Sequence, residues 1–139
     1  MSANTEPDAP TRGRCLCGAV RFAYTGRPRW VMHCHCESCR RQCSAPFTTF
    51  VGVRDGRWRW TGAEPAAYAS SKGVERLFCG RCGTPMAYRA AHWPGEIHFY
   101  AAAHEAPDAL TPQGHVYHAE KLAWLHLADD LPRHDGPAV

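Results

Sequence analysis

Seven of the chain's eight cysteines fall into three tight clusters, and that spacing constrains the fold more than any other feature. The clusters are Cys15-Leu16-Cys17-Gly18, Cys34-His35-Cys36-Glu37-Ser38-Cys39 and Cys79-Gly80-Arg81-Cys82-Gly83. Zinc takes four tetrahedral thiolate or imidazole ligands, and a short loop that doubles back presents two cysteines to one ion. Cys15, Cys17, Cys79 and Cys82 therefore sum to one closed site. Sixty-odd residues separate the two pairs, so a shared ion would tie the start of the chain to its middle, as small domains do to fasten their sheets. Cys34, Cys36 and Cys39 offer three thiolates, the ligand count of a zinc site that keeps one position open.

Each outer pair is followed directly by glycine, Gly18 or Gly83. A glycine there allows a positive φ, which lets backbone N–H groups point at the sulfurs. The competing reading is two separate redox pairs. A redox Cys-x-x-Cys usually opens a helix, whereas Cys79-Gly80-Arg81-Cys82 runs into Gly, Thr and Pro. Around the middle cluster, Arg40 and Arg41 offer positive charge to an anionic ligand near a metal. His33, His35 and Cys43 are candidates to close the site, with Cys43 as a small buried residue the plainer alternative.

A chain of 139 residues is most simply one domain with a real core. The net charge of +3, with His neutral, is too small to point to nucleic acid, and no Lys/Arg run exceeds Arg40-Arg41. No stretch approaches the roughly 18 apolar residues of a membrane helix, and Met1–Thr11 has no apolar h-region. A reducing cytoplasmic setting follows as the expectation, in which clustered cysteines hold metal rather than disulfides.

The local patterning is β-like. Val20, Phe22 and Tyr24 alternate with Ala19, Arg21 and Ala23, a period of two that suits a half-buried strand. Phe47–Val53 is rich in Thr, Phe and Val and stops at Asp55-Gly56, a hairpin-type turn followed by Arg57–Trp60. Glu75–Cys79, Ala87–Ala90 and Ile97–Ala102 are further short strands, and Glu37–Cys43 is the one helix-permissive stretch. Trp58 and Trp60 read as packing residues, and His92, His98, His126 and His134 as scattered surface or packing histidines. Residues 1–11 and 133–139 read as flexible tails around a mainly β domain spanning 12–132, with short helical turns.

Taken together, Gly13-x-Cys15-x-Cys17-Gly18-x-Val20-x-Phe22 and Cys34-His35-Cys36-x2-Cys39-Arg40-Arg41 with Ala45-Pro46-Phe47 resemble the glutathione-dependent formaldehyde-activating enzyme family. The resemblance continues through Tyr68-x-Ser70-Ser71, Arg76-x-Phe78-Cys79-x2-Cys82-Gly83-Thr84-Pro85, His115-Val116-Tyr117, Lys121-x2-Trp124 and Asp129-Asp130-Leu131-Pro132. It implies a β-tent domain like that of methionine sulfoxide reductase B, and two Zn²⁺ ions. The first is structural, on Cys15, Cys17, Cys79 and Cys82. The second is functional, with Cys34, Cys36 and Cys39 in the catalytic role and Arg40 and Arg41 near the ligand. It further implies carbon–sulfur lyase chemistry on a small, glutathione-like thiol and an aldehyde such as formaldehyde, with neither nucleic acid nor membrane as partner. A homodimer is left open. A non-enzymatic zinc module, structural or thiol-carrying, is the competing class. Cys43, Ser44 and His104-Glu105-Ala106-Pro107 depart from the family pattern.

Overall fold

The computed structural model describes residues 9–138. Met1–Asp8, most of the expected N-terminal tail, and Val139 lie outside them. Among the described residues the chain forms β1 (Thr11–Arg14), β2 (Arg21–Tyr24), β3 (Trp30–Cys34), α1 (Glu37–Cys43), β4 (Thr48–Arg54) and β5 (Trp58–Trp60). It continues as β6 (Ala66–Ser71), β7 (Val74–Phe78), β8 (Pro85–Ala90), β9 (Glu96–Tyr100) and β10 (His115–Val116), with short 3-10 turns between β9 and β10 and after β10. The domain is mainly β and single, as the cysteine spacing and strand patterning lead one to expect.

Two sheets share the strands. One is β1-β2-β5, and the other runs β10-β3-β4-β9-β8-β7-β6. All pairings are antiparallel except that of β10 with β3. The alternating residues Val20, Phe22 and Tyr24 are all buried, and they carry the contact between sheets. Phe22 stacks on Phe99 of β9 with ring centroids 4.0 Å apart, and Trp58 and Trp60 meet Phe99 edge-on at 5.8 and 5.7 Å. Edge-to-face and offset rings at these separations add about 0.5–1.5 kcal/mol per pair beyond the area they bury. β9 is buried at every position, with Ile97 and Phe99 on one face and Glu96 and His98 on the other, where they bond each other.

Two local details differ from the sequence reading, the hairpin and the C-terminal tail, and the helix, found where expected, ends in an unusual way. Asp55-Gly56 does turn the chain, with Gly56 at φ +89°, but no hairpin follows. β4 pairs with β3 and β9, while β5 pairs with β2, so the turn hands the chain from the large sheet to the small one. Packing of Trp58 and Trp60 onto Phe99 outweighs the local hairpin preference. α1 ends where Ser44 adopts φ 51°, ψ 48° and gives its N–H to the last-turn carbonyls, a left-handed stop that glycine usually fills. Residues 133–136, expected as part of a tail, run instead beside β10. His134 N–H donates to the His115 carbonyl at 2.9 Å, and Tyr117 N–H donates to the Gly136 carbonyl at 3.0 Å.

Candidate metal centres

The first cysteine pair sits in the bend between β1 and β2, and the second in the turn between β7 and β8. Their four sulfurs lie within 4.8 Å of one another. Sγ atoms of Cys15 and Cys17 are 3.6 Å apart, and those of Cys17 and Cys79 are 3.8 Å apart. A tetrahedral ion with metal–sulfur bonds of about 2.3 Å sets its sulfurs about 3.8 Å apart. The spacing fits. Gly18 at φ +82° and Gly83 at φ +84° let each loop fold back, so that Val20 N–H reaches Cys15 Sγ at 3.3 Å and Arg81 and Cys82 N–H reach Cys79 Sγ at 3.3 and 3.4 Å.

Thr84 laces the two loops together, a role that nothing in its local sequence announces. Its hydroxyl lies 3.1 Å from Cys82 Sγ and accepts the Leu16 N–H at 3.0 Å. Hydrogen bonds from the Thr84 side chain and backbone hold the Cys82 thiol down to about 5, so this sulfur is ready to ligate at neutral pH. Arg14 donates to the carbonyls of Cys15 and Leu16 and pairs with Glu105.

The second set gathers at the join of β3 and α1. Cys34 ends β3, Cys36 is the residue before the helix, and Cys39 is its buried member. The three sulfurs again lie within 4.8 Å of one another, with Cys34 and Cys36 at 3.5 Å. Successive residues of an extended chain point to opposite faces, which puts Cys34 and Cys36 on one side and His35 on the other. Thiols of Cys34 and Cys39 donating to Cys36 hold its sulfur down to about 2, and the same hydrogen bond pushes Cys34 far above the usual thiol range. A divalent ion is what would let all three be thiolates.

None of the three candidates to close this site joins it. His33 Nδ1 is 2.7 Å from the Thr49 hydroxyl, and Cys43 Sγ donates back to the Cys39 carbonyl at 3.1 Å. His35 Nε2 lies 2.9 Å from His115 Nδ1, and His115 Nε2 lies 3.0 Å from both Asp129 carboxylate oxygens. Asp129 must accept, so His115 donates through Nε2 and accepts through Nδ1 from His35. Burial, helped by the neighbouring histidines, holds His35 down to about 4 and therefore neutral. This chain of three side chains braces β10 and the segment after it against the back of the cysteine bend.

The charge beside the cluster comes from an arginine other than the expected pair. Arg40 turns its Nε to the His35 carbonyl at 3.1 Å, and the exposed Arg41 pairs with Glu37 at 2.8 Å. Arg76 of β7, only 5 % exposed, places Nη1 3.6 Å from Cys39 Sγ, donates through Nε to Ser70 Oγ at 3.2 Å, and lies over the Tyr88 ring at 5.0 Å. Arg76 pairs with none of the carboxylates in the described residues. The sulfur cluster is its counter-charge. Both face a cleft of about 760 Å³ that Arg41 reaches at its rim, with Trp30, Phe50, Tyr88, Trp93 and Tyr117 along its walls.

Set against known proteins, residues 10–120 match the glutathione-dependent formaldehyde-activating enzyme family. An uncharacterized lyase of Schizosaccharomyces pombe is 36% identical over 74 residues, 53% of each chain, so the chain spans about half the length of that relative. A Halomonas elongata protein that carries the family's name is 27% identical over 124 residues, covering 83% of this chain and 79% of its own. The crystal structure of a Rhodobacter sphaeroides protein superposes with a TM-score of 0.54 at 18% identity, over 88% of this chain and 98% of that one, which is a likeness of fold. A match over most of the domain, on a fold that brings the clustered cysteines into two metal-sized groups, decides the question of kinship: the chain belongs to the glutathione-dependent formaldehyde-activating enzyme family.

Proposed function

We propose that both cysteine groups hold zinc, and that the domain forms or cleaves the carbon–sulfur bond of an S-hydroxymethyl-type adduct. The partners are a small thiol, with glutathione the first to test, and an aldehyde such as formaldehyde. The observation that carries this reading is the contrast between the two groups. Four sulfurs complete the first set. The second stops at three, faces the cleft, and has a buried guanidinium beside it. Cys15, Cys17, Cys79 and Cys82 then serve the fold. Cys34, Cys36 and Cys39 serve the chemistry, and free thiols suit a reducing compartment such as the cytoplasm.

Cys34, Cys36 and Cys39 would hold the zinc ion, which would supply a Lewis acid able to keep a thiol ionised near neutral pH. In the balanced reaction the thiol sulfur bonds to the carbonyl carbon and the thiol proton ends on the carbonyl oxygen, with no oxidation or reduction. The chain's own part is positional. The β3–α1 bend fixes three sulfurs, Arg76 offsets the negative charge that gathers there, and the aromatic walls exclude water and hold the partners close. Arg41 at the rim and Arg40 behind it stand as lesser contributors to the field.

The test is adduct formation from thiol and formaldehyde above the spontaneous rate, with the wild type and Cys36→Ser side by side. The expected result is acceleration by the wild type alone, with Cys36→Ser still folded, because the four-cysteine group lies elsewhere. Equal rates for both proteins would favour the non-enzymatic zinc module.

A further inference from the structure

The cleft beside Cys34, Cys36 and Cys39 is much larger than an S-hydroxymethyl group requires. Volumes of several hundred Å³ are typical of pockets that bury whole organic ligands, and here the volume is about 760 Å³. Four of the five aromatic rings on its walls, Trp30, Phe50, Tyr88 and Trp93, are set around His98. Tyr88 stacks on His98 at 5.3 Å and 21°, Trp30 meets it edge-on at 4.5 Å, and Phe50 and Trp93 lie 6.2 and 6.1 Å away.

Trp30 and His98 in this wall are held in place. His98 Nε2 lies 2.6 Å from the Glu96 carboxylate, which also accepts from Arg29 at 2.8 Å and from the Trp30 indole at 3.3 Å. Glu96 and His98 are both buried. Trp30 lies over Gly52, where any side chain would collide with the indole. A rigid apolar wall loses little freedom when a ligand settles on it, which is how preorganised sites gain affinity.

The charges on the cleft do not suit a tripeptide anion. Glutathione brings two carboxylates and an ammonium besides its sulfur. Arg76 is engaged by Cys39 and Ser70, and Arg41 is engaged by Glu37. Arg41 cancels Glu37 in turn, whereas Glu120 lines the same cleft, forms none of the ion pairs among the described residues and would repel carboxylates. A body without charge that stacks on rings meets none of these objections.

We propose that the thiol partner of this site carries an uncharged aromatic or broad apolar body, seated on Trp30, Phe50, Tyr88 and Trp93 while its sulfur reaches the three cysteines. The proposal rests on the three-cysteine metal site being open to a thiol, and refines which thiol enters. The experiment titrates protein loaded with Co²⁺ at both sites with benzyl mercaptan, glutathione and 2-mercaptoethanol in turn. Cobalt–thiolate absorption and tryptophan emission are read together. Benzyl mercaptan is expected to saturate at roughly a tenth of the concentration needed by either other thiol, since one good aromatic contact gives about that factor, and to quench tryptophan emission as it does so. Trp93→Ala, in the turn between β8 and β9, is expected to remove most of that advantage. Glutathione binding as tightly as benzyl mercaptan, or equal saturation by benzyl mercaptan and 2-mercaptoethanol, overturns the proposal and leaves the open metal site standing. No change in the cobalt spectrum with any of the thiols overturns both.

Discussion

Replacing Arg76 with methionine removes a buried positive charge while keeping most of the side chain's bulk. The charge stands 3.6 Å from Cys39 Sγ, and two unit charges at that distance attract by about 4.6 kcal/mol at an effective dielectric of about 20. Three thiolates around a divalent ion carry a formal charge of −1, and a thiolate entering the open position makes it −2. If that added charge spreads evenly over four sulfurs, the share on Cys39 is worth about 1 kcal/mol, and the three more distant sulfurs together add about 1.5–2, for a total of roughly 2.5–3 kcal/mol. Arg76→Met should therefore weaken thiol binding to cobalt-loaded protein by roughly 70- to 160-fold. A neutral ligand such as imidazole leaves the charge at −1, so its affinity should change by less than about twofold on the same electrostatic argument. Arg76→Lys keeps the charge but loses the fork that also holds Ser70, and should fall in between. Thiol and imidazole losing affinity together would show that Arg76 merely shapes the site. Unchanged thiol affinity would refute the charge argument itself.

Cys79→Ser should leave the chain unfolded or insoluble, because a structural zinc contributes on the order of 10 kcal/mol in small finger peptides, comparable to a whole domain's stability; wild-type melting of this variant would contradict it. Cys43→Ala should leave the number of bound metal ions per chain unchanged by elemental analysis, since its thiol bonds the Cys39 carbonyl and not the cluster. Ser44→Gly should raise the melting temperature by a few degrees, because glycine relieves a left-handed residue at a cost difference of about 1 kcal/mol; calorimetry showing no gain would count against it.

The parts of the molecule legible in the sequence are those set by local chemistry. Gly-capped cysteine pairs point to the four-sulfur group, the Cys34–Cys39 spacing to the three-sulfur group, and Glu37–Cys43 to the one helix. Strands with bulky or branched residues, β4 and β9, are also visible. β6, built from Ala66-Ala67-Tyr68-Ala69-Ser70-Ser71, carries little strand propensity and exists because β7 supplies its partners. Arg76 and Thr84 acquire their roles only when β7 and the β7–β8 turn are folded against Cys39 and Leu16. The His35–His115–Asp129 chain depends on a two-residue parallel pairing of β10 with β3, and a contact across 80 residues leaves no periodic trace in the sequence.

The separation between the two pairs of the first metal group has a consequence for how the domain assembles. Cys17 and Cys79 stand 62 positions apart, while Cys34, Cys36 and Cys39 share a single bend. During synthesis, which proceeds from the N-terminus at about 5–20 residues per second, the three-sulfur group is complete long before Cys82 emerges. On the proposed reading, the first cluster able to capture an ion is the one with three sulfurs, and the four-sulfur clasp closes later, with the β7–β8 turn. A nascent chain halted before Cys79 should hold metal loosely and remain protease-sensitive, whereas one released past Cys82 should gain protection in a single metal-dependent step. The group with fewer sulfurs is then the first to be complete.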